Sequence, residues 1–441
     1  MIRPLTKTRL RFSLQQGFGI RHVAGASFAA CLAGVVFAAT GDWSTPVTLS
    51  TPIPPTFYAA TPVVAINSTG AHAAAWINED NYLLLQVAAQ DAGASWTGAQ
   101  TLSPATGFNA ADPAIALSST GAAVAMWDLY HANSSQGLVI QASARQAHGS
   151  WGPVVSLTSG ATSSSTVPEV GMDTHGNAIA IWLQTTSTTS VIESANLPSG
   201  GSWTTPVALS SPALSASRPS LAVNSAGDAI AGWQTTSGQI LVAERKSGAW
   251  GAPVTIATAS YRQGSAQVAI NNRGDAAIAW TGRGTALTAI RVAGGTWSAP
   301  TTISKQSAGA TARIALDDLG NAVAIFEQVV LSGSSYVYPV QAVSRPVNGS
   351  WSAASTISAP KDYASSPNLV ATPAGTFVAG WVDDTTNTVH AAVRPAGQNV
   401  FWSPANVGGG TSVDLAAAAG RTAATWIGPG PAVQVSDAST P

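Results

Sequence analysis

The sequence predicts an all-β protein, a β-propeller of four-stranded blades, from three observations. Only 9% of the 441 residues are charged against 45% hydrophobic, with 42 Gly and 26 Pro scattered along the chain. Val, Ile, Thr and Ser dominate over Glu, Lys and Leu, which favours strands over helices. Tryptophan recurs with a period near 50 residues: Trp43, Trp96, Trp151, Trp203, Trp250, Trp297, Trp351 and Trp402 are spaced by 53, 55, 52, 47, 47, 54 and 51. A second series, Trp76, Trp127, Trp182, Trp233, Trp280, Phe326, Trp381 and Trp426, follows a glycine by six residues each time. The two series use all 15 tryptophans, so tryptophan here is scaffold. Repeats of this length with apolar or small residues on both faces need a neighbour on either side, as propeller blades have.

From the N-terminus, Arg3, Lys7, Arg9, Arg11 and Arg21 precede an apolar run over 23–39 that ends in small residues. Residues 1–39 read as a bacterial secretory signal peptide cut near Ala38 or Ala39, and an uncleaved membrane anchor is the alternative. Cleavage leaves 14 basic against 20 acidic residues, a charge near −6. Residues 40–441 read as a single propeller domain of a monomer, secreted or periplasmic.

Within a repeat, the fourth copy resolves into strands over 219–223, 228–233, 239–244 and 250–256. Asn67, Ser118, Asp173, Asn224, Asn271, Asp317 and Thr372 stand three residues before the glycines that precede the second tryptophan series. An Asx-type residue first and Gly fourth make a type I turn between the first and second strands. Residues 43–50 form a fourth strand that precedes any first strand. Pairing them with residues 432–436 completes an eighth blade from the N-terminus and removes the exposed edges of a linear array. Seven blades, with the weak terminal copy packed elsewhere, is the alternative.

Several function classes fall away. The hydrophobic content excludes disorder, and a lone cysteine excludes an intrachain disulfide. An acidic chain repels phosphate, which excludes nucleic acid as the expected partner. Histidines lack metal-ligand spacing and no Gly-rich loop opens a helix, so neither a metal nor any other cofactor is expected.

The order Pro219-Ser-Leu-Ala-Val-Asn-x-x-Gly-Asp-Ala-x-Ala-x-Trp233, then an Arg-bearing strand, then Trp-x-x-Pro-Val, resembles the bacterial neuraminidase (sialidase) repeat superfamily. Asp91, Gly93, Ser95 and Trp96 match the Asp, Gly, Thr/Ser and Trp of its Asp-box hairpin, with Ala89 where Ser is expected. The resemblance covers nearly all of residues 43–437 and implies scaffold. A sialidase also needs three arginines on a substrate carboxylate, a Tyr–Glu pair and an acid/base. The family's Phe/Tyr-Arg-Ile-Pro signature is missing: residues 57–62 read Phe-Tyr-Ala-Ala-Thr-Pro, without arginine.

Residues peculiar to one copy are the functional candidates. Arg145, Arg245, Arg291, Arg345 and Arg394 recur near the end of the third strand and read as solvating an outer strand and its turn. All seven tyrosines fall in or beside the loops leaving the second and fourth strands, on one face of the ring. One residue past each Pro-equivalent position stand Val63, Ala114, Glu169, Ser220, Gln267, Arg313, Asn368 and Asp414, near the channel mouth. Tyr58, Asp112, Tyr130, His131, Glu169, Arg218, Tyr261, Arg262, Arg313 and Tyr363 are therefore the candidate ligand-binding residues. They suit a glycan or protein ligand. A sialidase-like glycoside hydrolase and a purely structural surface module are the alternatives.

Overall fold

The structure, a computed structural model, describes residues 43–50, 59–131, 137–160, 163–259, 264–306, 308–401, 403–430 and 432–440. The leader reading and Trp402 lie outside them. The described residues form eight antiparallel blades. Blade 1 is Ala59–Ile66, His72–Asp80, Tyr82–Gln90 and Gln100–Thr101, from the channel outward. The inner strands of blades 2 to 8 are Phe108–Leu117, Ser164–Met172, Ala216–Val223, Gln267–Ile270, Ala308–Leu316, Ala364–Ala371 and Thr411–Ala418. Blade 8 ends with the N-terminal strand Val47–Thr48, which pairs antiparallel with Ala432–Ser439 in the register Val47↔Val435. The eight-bladed ring closed by the N-terminal strand is the observed fold.

Packing explains the tryptophan period. Eight apolar clusters occur among the described residues, each joining two adjacent blades. The second aromatic series supplies the largest buried side chains, and each of its members is at most 1% exposed. Trp127 packs on blade 1, Trp182 on blade 2 and Trp233 on blade 3. Phe326 holds the same place against blade 5. A tryptophan buries about 150–250 Å², worth on the order of 4–6 kcal/mol gross. The first series is partly buried at the outer strands against the same interfaces, as Trp151 and Trp250 show.

The turns between first and second strands behave as the Asx-Gly spacing predicts. Gly70 N donates to Asn67 O at 3.1 Å and Gly274 N to Asn271 O at 3.0 Å. The glycines sit at φ 86 in both turns, a conformation that a Cβ disfavours. Asn67 Nδ2 then donates to Ser118 O of the next blade at 3.0 Å, and Asn271 Nδ2 to Asp317 O at 2.8 Å. The turns thereby stitch neighbouring blades together at one end of the channel.

Three details differ from the sequence reading, the first being that the outer strand expected over 250–256 is in two pieces, Ala249–Trp250 and Val254–Thr258. The fourth inner strand starts at Ala216, before Pro219, because it crosses the proline through a bulge. Proline has no N–H for the ladder, and a bulge is where a strand tolerates it. Equivalent register shifts occur in blades 1, 2, 3, 6, 7 and 8, and Thr61, Asp112, Val167, Arg218, Ser366 and Ser412 have φ between 44 and 54. Of the recurring arginines, Arg145, Arg245, Arg291 and Arg394 do not solvate the outer strands, whereas Arg345 is half-buried beside the outer strands of blades 5 and 6. Arg145, Arg291 and Arg394 are 4%, 8% and 8% exposed. Arg145, Arg245 and Arg291 donate to the carbonyls of Gly121, Gly227 and Gly274, fastening the turn of their own blade. The neighbouring blade covers this end of the third strand, so burial selects an arginine that satisfies a backbone oxygen. Asp91 of the Asp-box-like hairpin accepts from Arg145 Nη2 of blade 2 at 2.9 Å, an interblade contact.

Candidate ligand-binding site at the channel mouth

The residues one past the proline-equivalent positions, which are prolines in blades 1, 2, 3, 4 and 7, stand on the inner strands four residues before the turns. Val63, Ala114, Glu169, Gln267, Arg313, Asn368 and Asp414 line one cavity of about 380 Å³. Ser220, the eighth of the set, lies outside that lining and accepts from Val268 N of blade 5 at 3.3 Å.

Asp414 sits where the ring closes. Its Oδ2 accepts from Val64 N of blade 1 at 3.0 Å, and its Oδ1 from Asn368 Nδ2 of blade 7 at 2.7 Å. Burial still pushes its carboxyl up to about 6, because these bonds and the Arg313 charge recover only part of its lost hydration. Burial pushes Glu169 up to about 7, against the attraction of Arg313 and with the repulsion of Asp414 and Asp112. Burial lowers the pKa of Arg313, opposed by the charges of Glu169, Asp414 and Glu327. Among the described residues Arg313 forms no ion pair. All three side chains keep part of their surface accessible, since the cavity opens to water while protein surrounds it. An arginine acted on at a distance by three carboxyls retains its donors for a ligand.

On blade 2, Asp112 occupies the bulge at φ 45 and its carboxyl is raised by burial. Asp128 is 2% exposed, and burial followed by the Asp112 charge pushes it up to about 7. Its Oδ1 has no hydrogen-bond partner among the described residues. Tyr130 and His131 end the same strand, and the His131 ring lies 4.1 Å from that of Phe108. Arg218 is exposed on the rim and donates to Ser265 Oγ of blade 5 at 2.8 Å. Tyr363 sits between blades 6 and 7, paired with Tyr338. Tyr58, Tyr261 and Arg262 lie outside the described residues. The structure thus gathers Glu169 and Arg313 at one cavity, with Asp112 acting on Glu169 through its charge, and Tyr130, His131, Arg218 and Tyr363 are not part of that lining.

Glu327 was not among the candidates. Burial pushes it up to about 7, with Arg313 opposing and Asp384 adding to the rise. Gly309 gives it room, because a Cβ there would collide with its side chain. A signal existed in the repeat: the position after the buried aromatic of the second strand is acidic only at Asp128 and Glu327. A larger groove of about 1000 Å³ runs along the outer strands of blades 5 and 6, lined by Thr301, Thr302, Trp297 and Trp351 among others. It contains none of the groups whose ionisation is displaced, and the channel mouth is the better chemical site.

Neither a family profile nor a curated protein sequence matches the chain. Among solved structures, the Hadza microbial sialidase is 13% identical, with 75% of this chain and 74% of that one covered at a TM-score of 0.40. The intramolecular trans-sialidase of Ruminococcus gnavus is 12% identical, covering 74% and 90% at 0.40. The α-L-arabinanase of Penicillium chrysogenum is 14% identical, covering 69% and 99% at 0.39. These are likenesses of scaffold, and no activity passes from them to this chain.

Proposed function

We propose that the protein is a secreted or periplasmic, non-catalytic binding propeller that holds a glycan on the face where the channel opens. One observation carries the reading: the 380 Å³ cavity combines Glu169, Gln267, Asn368 and Asp414 with an Arg313 that has no ion-pair partner among the described residues. That volume suits one sugar ring, and the donors and acceptors around it suit hydroxyls. A glycan array probed with the purified protein tests it. Arg313→Ala should erase the positive spots while leaving the fold intact by circular dichroism. Spots of undiminished intensity would defeat the assignment, and a blank array with the wild type would favour a protein ligand or the purely structural module.

The carboxyls of Asp128, Glu169 and Glu327, each held up to about 7, favour a second reading as a sialidase-like glycoside hydrolase. Groups poised there are suited to proton transfer near neutral pH. A fluorogenic sialoside decides it: turnover abolished by Glu169→Gln supports the enzyme, and no turnover above buffer removes it. Secretion is tested by N-terminal sequencing of the exported protein, with a start near residue 39 or 40 expected.

A further inference from the structure

Blade 6 alone among the described connections between second and third strands carries an extra hairpin, Val330–Ser332 paired with Ser335–Val337. The insertion delivers Tyr338 to the edge of blade 7. There Tyr338 forms a parallel bridge with Tyr363, and Tyr338 N donates to Asp362 O at 2.8 Å. Asp384 N donates to Tyr363 O at 3.0 Å, so the backbone fixes all three residues in advance. The two tyrosine rings stand 5.9 Å apart and inclined by 55°, forming a corner. Tyr338, Tyr363, Ala364, Asp384 and Thr385 line a cleft of about 360 Å³ beside the start of the inner strand of blade 7.

We infer that this cleft is a binding site for a methylated ammonium group, separate from the channel mouth. Two aromatic faces set at an angle beside a carboxylate are what such a cation requires, since each ring offers its negative face to the charge. The Ser365 hydroxyl donates to Asp384 Oδ1 at 2.7 Å and orients the carboxylate. No lysine, arginine or histidine lines the cleft, and the Asp384 carboxylate is the charged group in its lining. An anion is repelled there. A neutral apolar group would gain ring contact and nothing from Asp384. The shared chemistry is the trimethylammonium head, whether of choline, of phosphocholine or of trimethyl-lysine.

Saturation-transfer NMR on the full protein, with tetramethylammonium and then choline as probes, tests the site. Transfer to the methyl protons is expected, with affinity reduced about tenfold by Tyr363→Ala. Asp384→Asn should weaken binding several-fold and flatten its dependence on salt, a readout that loss of packing would not produce. Phosphocholine and trimethyl-lysine, compared with choline, identify the carrier by which binds most tightly. The uncharged isostere 3,3-dimethylbutan-1-ol should bind far more weakly. Equal binding of that alcohol, unchanged affinity in both variants, or absence of transfer from tetramethylammonium would each overturn the inference. Arg313→Ala should leave choline binding intact, which separates this site from the glycan reading of the channel.

Discussion

The two ends of the channel use polar residues in opposite ways. At the turn end a hollow of about 420 Å³ is lined by Asn67, Asp173, Asn224, Asn271 and their neighbours. Their side chains are spent: Asn271 accepts from Arg273 N and Asp275 N through Oδ1, and donates from Nδ2 to Asp275 Oδ2 and Asp317 O. At the mouth, Glu169 and Arg313 interact across the cavity through their charges, and Asp414 carries the hydrogen bonds to blades 1 and 7. Satisfied polar groups specify a structure, whereas displaced and unpaired ones are a resource for binding. The same repeat supplies both ends, so the difference lies in which positions are held constant among copies and which vary.

The contrast can be broken at several points. The largest effect belongs to the wall between the ends: Trp233→Ala should cost about 3–5 kcal/mol in chemical denaturation, and a loss below about 1 would show the tryptophan is not packed between blades. Next, Asn271→Ala at the turn end should cost about 2 kcal/mol, because it orphans a buried carbonyl and two amides. A negligible change there would mean the turns are not the fastening they look to be.

The mouth should respond chiefly to pH. Asp128, Glu169 and Glu327 have folded values near 7 and Asp414 near 6, all above the unfolded carboxyl range. The folded state therefore holds more protons, its advantage is complete below about pH 4, and stability falls as pH rises through 6 to 7. Glu169→Gln should flatten that fall and raise stability by about 1 kcal/mol at pH 8, a figure kept small because channel water screens the site. Thermal melts at successive pH values read this directly, and a melting temperature that climbs from pH 5 to 8 would contradict it. Smallest is the rim: Arg218→Ala, losing one exposed hydrogen bond, should change stability by less than about 0.5 kcal/mol. A larger change in the same melts would make Arg218 a structural link between blades 4 and 5.

The ring was legible in the sequence because its determinants are local and repeated. The interval from Gly227 to Trp233 fixes a turn and the buried residue that follows, and eight copies average out the irregular ones. The ring of mouth residues followed from counting past the prolines, although the bulge at Arg218-Pro219 was invisible to alternation alone. Burial of Arg145 could not be read, because it depends on the neighbouring blade covering that strand end, a nonlocal fact. The pairing of Tyr338 with Asp384 escaped for a related reason: the tyrosine was legible as part of the loop-bearing face, but the two residues lie 46 apart in different blades, and only the inserted hairpin brings their surroundings together.

The eighth blade depends on residues that are made first and needed last. Thr48 Oγ1 accepts from Gln434 Nε2 with a separation of 386 residues, and Ser50 Oγ accepts from Val433 N. Closing so long a loop costs little more entropy than closing one half its length, yet it cannot begin until the final strand exists. During synthesis the first seven blades can assemble in order while the N-terminal strand waits unpaired. A chain cut short by a dozen residues would keep most of its tryptophan contacts and still present two raw sheet edges, a form prone to joining the next chain instead of itself.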